Sequence, residues 1–313
     1  MGKRVTLNIF LGIFLFLGIF ISFASAQTLI VDDNNASLNA NFSTIQAAVN
    51  FASSGDVIDV AAGTYDEQVV INNKSLTIQG AGNTTVIKPS SDTVLTTFYT
   101  TGTQTGAFFN GIIIAGIIDV RNGGDTEKVT IKNLKVDGES ITALPSGAGH
   151  VSGIVFGETS GVIDDVTVED TNAVLPATVR TYSIWADAVG GTNVSVNVTD
   201  STTQFYGRNG INARGNNINV NFEDNIITGP GNVSSQVPNG VLIISGARGK
   251  VVNNNISSGH YSLFPEFAGS GILLFDAGNS VLVSDNEVFD VDDAVLIAGT
   301  NFTKVENNNL HKT

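Results

Sequence analysis

The chain of 313 residues has no cysteine, one methionine, one tryptophan and six prolines. Without cysteine there is no disulfide scaffold and no thiolate metal site. Positive charge is scarce too. Fifteen Lys and Arg stand against 29 Asp and Glu, a formal net charge of −14. A nucleic-acid partner calls for the opposite balance, because neutralising a phosphate backbone takes an excess of Lys and Arg. Charged residues make up only 14% of the chain, yet 42% is hydrophobic, too much for a disordered polymer. Length alone would suggest about two domains, a prior that repeat architectures break.

One long apolar run exists, from Ile9 to Phe23, behind Lys3 and Arg4 and ahead of Ala24-Ser25-Ala26. A basic start, an apolar core and an A-x-A site predict a cleaved signal peptide over residues 1–26. An anchor helix is the alternative, but the core is slightly short and no basic cluster comes after it. No later segment reaches 18 consecutive apolar residues, so no membrane contact is expected after cleavage. The mature chain from Gln27 would carry 29 acids against 13 bases and no sulfur, which excludes a soft Cu(I) site. The expected location is secreted, periplasmic or cell-surface. Nine N-x-S/T sequons matter only if the source glycosylates.

The mature chain begins with one helix and continues as strands. In Phe42-Ser43-Thr44-Ile45-Gln46, Ser43 is placed to cap a helix and Gln46 to complete a capping box. Ile45, Ala48, Val49 and Ala52 recur at helical spacing. Short alternating runs come next at Val57 to Val60, Val69 to Ile71 and Leu76 to Ile78, separated by turns. The predicted units are a strand and capping helix over 27–56 and a solenoid over 57–313. Phe42 to Val49, Gly55-Asp56-Val57-Ile58, Gly63-Thr64-Tyr65-Asp66-Glu67 and Leu76-Thr77-Ile78-Gln79-Gly80 together resemble the opening of the pectin-lyase-like superfamily. That resemblance implies an all-β fold, a right-handed parallel β-helix with a short N-terminal capping helix. It implies no particular activity, since esterases, lyases, hydrolases and non-enzymes share this opening.

A β-branched or aromatic residue, any residue, then Asn or Asp recurs, ending at Asn133, Asp170, Asp200, Asp224, Asn254, Asp285 and Asn307. From first to last is 174 residues, six steps averaging 29. Gly153, Ser183, Gly210, Gly240, Gly271 and Ala294 open apolar strands at a similar period. A β-strand period of this size means a solenoid. Asn and Asp tolerate the left-handed backbone of a sharp corner, and stacked Asn side chains bond along a ladder. These residues read as structural, with calcium bridging of the acidic ones as the alternative. No other cofactor or metal is expected.

Alternation turns Ile154, Phe156, Ile184, Ala186, Ile211, Ala213, Val241, Ile243, Ile272, Leu274, Val295 and Ile297 inward. It turns Trp185, Asp187, Asn212, Arg214, Leu242, Ile244, Leu273, Phe275 and Leu296 outward. Trp185, Asp187, Tyr206, Arg208, Asn212 and Arg214, with Arg180 and Tyr182 nearby, fall in adjacent coils. They fit a saccharide site, an aromatic face with oriented polar groups. The other reading is an Asp187–Arg214 ion pair across one rung with Trp185 under a loop. A loop carrying His260, Tyr261, Phe264, Glu266 and Phe267 is placed to cover the later outward residues, which if uncovered would form a contact surface for a partner.

Catalytic candidates are weaker. Asp290, Asp292 and Asp293 resemble the paired-Asp motif of the polygalacturonase family, whose carboxylates act as acid and base. The match breaks because the position one coil earlier falls around Ser270 and no His stands in a later coil. Pectin methylesterase motifs are missing. Arg208 or Arg214 would be the base of a pectate-lyase-like reaction, but no acidic calcium cluster accompanies them. Three functions remain: a secreted or cell-surface protein that engages polysaccharide without catalysis; a polysaccharide lyase or glycoside hydrolase with a divergent site; and a structural or adhesion protein. The abrupt C-terminal coil leaves an edge that a second copy or a partner would cover.

Overall fold

The structure, a computed structural model, describes residues 25–311 apart from 35–38, 91–94, 104–110, 143, 145, 172–174, 176–177, 264–266 and 301. The expected signal peptide therefore lies outside the described residues except for Ser25 and Ala26. Among the described residues no helix is long and apolar enough to cross a membrane.

Among the described residues twenty-four strands join in one sheet, and every strand pairing but one is parallel. Partners lie one coil apart in sequence. Asn209–Arg214 pairs with Arg180–Asp187 before it and with Asn239–Ile244 after it. The chain thus winds as a parallel β-helix with three faces. The front sheet stacks Arg180–Asp187, Asn209–Arg214, Asn239–Ile244, Ser270–Phe275 and Asp293–Ala298. The second stacks Val194–Thr199, Ile218–Glu223, Arg248–Val252, Leu282–Ser284 and Lys304–Glu306. The third stacks Thr202–Gln204, Ile226–Val233, Asn255–Tyr261, Glu287–Val291 and Asn309–His311. One earlier strand, His150–Glu169, runs through both corners and pairs with all three faces.

The core is the inside of the coil. Ile154, Ile184, Ile211, Val241 and Ile272 form one buried column, and Phe156, Ala186, Ala213, Ile243 and Leu274 the next. Val295 and Ile297 continue both columns in register, but Ile297 is 42% exposed, with no further coil stacked on it among the described residues. At the glycines that open front strands a side chain has no room. A Cβ on Gly240 would stand 2.4 Å from Ile256 Cγ2, and one on Gly271 2.3 Å from Val288 Cγ1.

Two local expectations are corrected at the helix, Ile45–Phe51. Its N-cap is Thr44, whose side chain accepts from the Ala47 N–H, not Ser43. Gln46 does not close a capping box. It bonds to both the N–H and the C=O of Val70 (2.6 and 3.2 Å), extending a strand sideways. The free N–H groups of Ile45 and Gln46 are instead capped by the Glu67 carboxylate, at 2.7 Å each. An anion at a helix start is favoured by the dipole as well as by these bonds. The strand Thr28–Val31, ahead of the helix, already pairs with Val57–Val60 as a rung.

The corner between the second and third sheets is a column of left-handed residues. Asn133, Asp165, Asp200, Asp224, Asn253, Asp285 and Asn307 have φ between 50 and 60°. Two members differ from the expected set. In its coil Asp165 turns this corner, and Asp170 (φ 56°) turns the next one. Asn253, not Asn254, is the bend in its coil. The Asn ladder exists, but one residue later. Asn225, Asn254, Asn286 and Asn308 face inward, and each Nδ2 donates to the next Oδ1 at 2.8–2.9 Å.

Candidate functional site

Outside the front sheet two columns run the length of the solenoid. One reads Asp119, Val155, Trp185, Asn212, Leu242, Leu273, Leu296, and the other Arg121, Gly157, Asp187, Arg214, Ile244, Phe275, Ala298. Both change from polar to apolar along the axis.

Alternation places Trp185, Asp187, Asn212 and Arg214 on this outer face as expected, but the open groove expected over them is not there. All four are at most 2% exposed. The strand Tyr99–Thr100 pairs antiparallel with the start of Ile113–Asp137. Tyr99, Ile112 and Ile114 then pack with Val155, Tyr182 and Trp185 as a second apolar cluster. Gly157 makes room for the Tyr99 ring, which would lie 2.5 Å from a Cβ there. Beneath this cover Arg214 Nη1 meets Asp187 Oδ2 at 2.6 Å, and the Tyr99 hydroxyl donates to Asp187 Oδ1 at 3.0 Å. These residues make a buried ion pair across one rung. Tyr206 is inside the coil, its ring against Gly210, and burial raises its hydroxyl pKa.

Over the later coils the described residues leave this face partly open, with Leu242 and Ile244 buried, Leu273 and Phe275 half-buried and Leu296 exposed. A cavity of about 440 Å³ has Leu242, Ile244, Leu273, Phe275 and Leu296 on its wall. Val237, Phe267, Ala268 and Ala298 complete the apolar lining, and Arg208, Asn239 and Asp293 are its polar groups. Asn239 and Asp293 stand in one column at the starts of front strands, and Arg208 directly precedes that column at Asn209. The polar groups therefore share one edge. Of the expected site residues, Arg208 and Asp293 reach this groove; Arg214, Trp185, Asp187, Tyr206 and Asn212 do not.

Asp292 has a different task. Its Oδ2 accepts from the N–H groups of Tyr261 (2.9 Å) and Gly269 (2.7 Å), pinning both ends of the segment that carries Phe267. Its Oδ1 faces His260 Nδ1 at 2.8 Å, and His260 Nε2 faces Asp290 Oδ1 at 2.9 Å. Carboxylates only accept, so both ring nitrogens must donate and the imidazole is held as its cation. Asp290 and Asp292 accordingly raise the His260 pKa. Burial pushes the Asp292 carboxyl up, but His260 and the two backbone donors outweigh it, and its pKa lies below the ordinary value. Phe264 and Glu266 of this segment lie outside the described residues. The His–Asp clamp is not among the sequence expectations; its one signal there is a spacing of about one coil.

Asp137, Glu169 and Asp170 bring carboxylates within 4.8 Å of one another. Lys135 pairs with Asp137 and Glu169, and Lys88 with Asp137 at 3.1 Å, so lysines already meet that charge.

Residues 183–313 match the family model described as a right handed beta helix region, which gives the coil its hand. No match was found among the curated proteins. Solved structures share the fold at low identity. The GH136 lacto-N-biosidase from Eubacterium ramulus is 13% identical, with 90% of this chain and 55% of that chain covered and a TM-score of 0.56. The deglycosylated pectin methylesterase from Aspergillus niger is 13% identical, with 93% and 90% covered and a TM-score of 0.51. The PL6 family alginate lyase AlyGC is 14% identical, with 91% and 40% covered and a TM-score of 0.50. The chain spans about half the length of the first of these. At such identities the likeness is one of fold.

Proposed function

We propose that this chain, which shares a right-handed parallel β-helix fold with carbohydrate-active enzymes, is an exported or cell-surface protein that binds polysaccharide along the front groove without cleaving it. The observation that carries this reading is the groove itself, partly open on the later coils and apolar with one polar edge. Leu242, Leu273 and Leu296 sit on successive rungs, about 4.8 Å apart, a wall along which an extended chain lies. Phe267 and Phe275 suit the C–H faces of sugar rings, and Arg208, Asn239 and Asp293 suit their hydroxyls. Hydrolysis needs two carboxylates across the scissile bond, and Asp293 is the one carboxylate among the described residues lining the groove. The fold's company among carbohydrate-active enzymes supports a saccharide ligand by analogy, and the apolar leader supports export.

The test is retention of the mature chain on a panel of neutral and acidic polysaccharides, with and without Ca²⁺, alongside assays for reducing ends and for the ultraviolet absorbance of unsaturated products. Retention without product is expected, weakened about tenfold by Phe275→Ala through lost apolar contact. One observation favours an enzyme instead, the shared edge of Arg208 and Asp293. Products that vanish in Asp293→Asn or Arg208→Gln would establish a hydrolase or lyase.

A further inference from the structure

Arg208 stands at the junction of two cavities. It lines the apolar groove and also a neighbouring cavity of about 350 Å³, whose wall includes Arg180, Ser235, Gln236 and Tyr261. Its guanidinium donates to the Val237 carbonyl at 3.1 Å, and among the described residues no carboxylate comes within ion-pair distance of it. Burial, together with Arg180 nearby, lowers its pKa. The same two arginines, after burial, hold the neighbouring His150 neutral, with its pKa down at about 4. A half-buried cation with no carboxylate partner among the described residues carries a desolvation cost, and it is unexpected in a chain of net charge −14. A guanidinium presents paired N–H donors that match the oxygens of a carboxylate or sulfate.

We infer that the Arg208 cavity is an anion subsite at the polar edge of the groove, and that the saccharide bound there carries an isolated carboxylate or sulfate in an otherwise uncharged stretch. The acidic surface and Asp293 in the groove oppose a ligand charged at every residue, so one anionic group next to neutral rings is the complementary pattern. The saccharide part rests on the proposed polysaccharide-binding function; the anion subsite rests on Arg208.

The experiment is titration of the full mature chain with methyl glucuronide, glucose 6-sulfate and methyl glucoside, followed by NMR shifts, and with inorganic sulfate, followed by melting temperature. The expected result is that at least one anionic sugar binds about tenfold or more tightly than methyl glucoside. Sulfate should compete with the anionic sugar, Arg208→Gln should remove the preference, and Arg208→Lys should keep part of it. Which anionic sugar wins distinguishes carboxylate from sulfate. Competition by sulfate in the unmutated protein keeps the test valid if Arg208→Gln fails to fold. Equal binding of neutral and anionic sugars, or a preference that survives Arg208→Gln, overturns the subsite and leaves polysaccharide binding standing. Sulfate stabilisation that is lost in Arg208→Gln, with no sugar bound, keeps the subsite and removes the saccharide. No response to sulfate or to either anionic sugar overturns the inference.

Discussion

Asp119 is fully buried, neither carboxyl oxygen has a hydrogen bond, and its one charged neighbour, Arg121, stands 3.5 Å away. Burial pushes its pKa up to about 6 against the pull of Arg121. The folded chain then holds this proton over a range where the unfolded chain has lost it. Stability therefore falls as pH rises from about 4 to about 6, by roughly 3 kcal/mol in total. Asp119→Asn should flatten that slope and stabilise the protein at pH 7 by about 1–2 kcal/mol, the gain being reduced by the lost Arg121 contact. Urea melts across this pH range decide it, and an unchanged slope contradicts the assignment. The residue scale is also where sequence and structure diverge most. Period-two alternation correctly turns Trp185, Asp187, Asn212 and Arg214 away from the core. Their cover comes from Tyr99, 88 positions before Asp187, and a coil's own periodicity carries no information about a segment so distant. The open groove is legible only as an apolar stretch of outward residues, Leu242 to Leu296, and its polar edge not at all beyond Arg208 and Asp293.

At the level of the stacked column, the inward Asn ladder is bonded in both directions along the axis. Asn254 Oδ1 accepts from both the N–H and the Nδ2 of Asn225, while its own Nδ2 donates to the Phe222 carbonyl and to Asn286. Asn254→Ala would remove the acceptor of the buried Asn225 N–H and break the side-chain bonds to Phe222 and Asn286, leaving Asn225 Nδ2 its bond to the Val198 carbonyl and Asn286 Oδ1 the residue 254 N–H, and the expected cost is about 3 kcal/mol. Asn308→Ala, at the half-buried end of the ladder, should cost visibly less. Denaturant midpoints of the two variants provide the comparison, and equal losses would mean that the column is not cooperative. The sequence motif finds this corner and its period. It slips at Asp170 and Asn254 because neighbouring corners both accept a left-handed Asp or Asn, and because Asn253 and Asn254 are chemically identical. Only register separates the bend from the ladder. Gln46 shows the same limit, since a capping-box pattern and a side chain that extends a strand are indistinguishable until Val70 is in place.

For the whole molecule, each coil rests on its two neighbours and on little else, so stability is distributed along one axis. Among the described residues the Asp293–His311 coil has one neighbour, and Leu296, Ile297, Val305 and Leu310 are all exposed there. Amide exchange should therefore be fastest over that coil and slowest through the coils of Ile184, Ile211 and Val241, whose inward residues are fully buried. Exchange at a uniform rate from end to end would show a single cooperative unit instead. The ladder adds one more property to this axis. Asn225 and Asn254 make the same bonds to the coil before and the coil after, which makes residues 225–253 an interchangeable part in the engineering sense. A second copy spliced between Asn253 and Asn254 meets matching donors and acceptors on both of its faces. It adds one rung, about 4.8 Å, to the front groove, so the length of that groove can be set in whole steps by copying a segment the chain already contains.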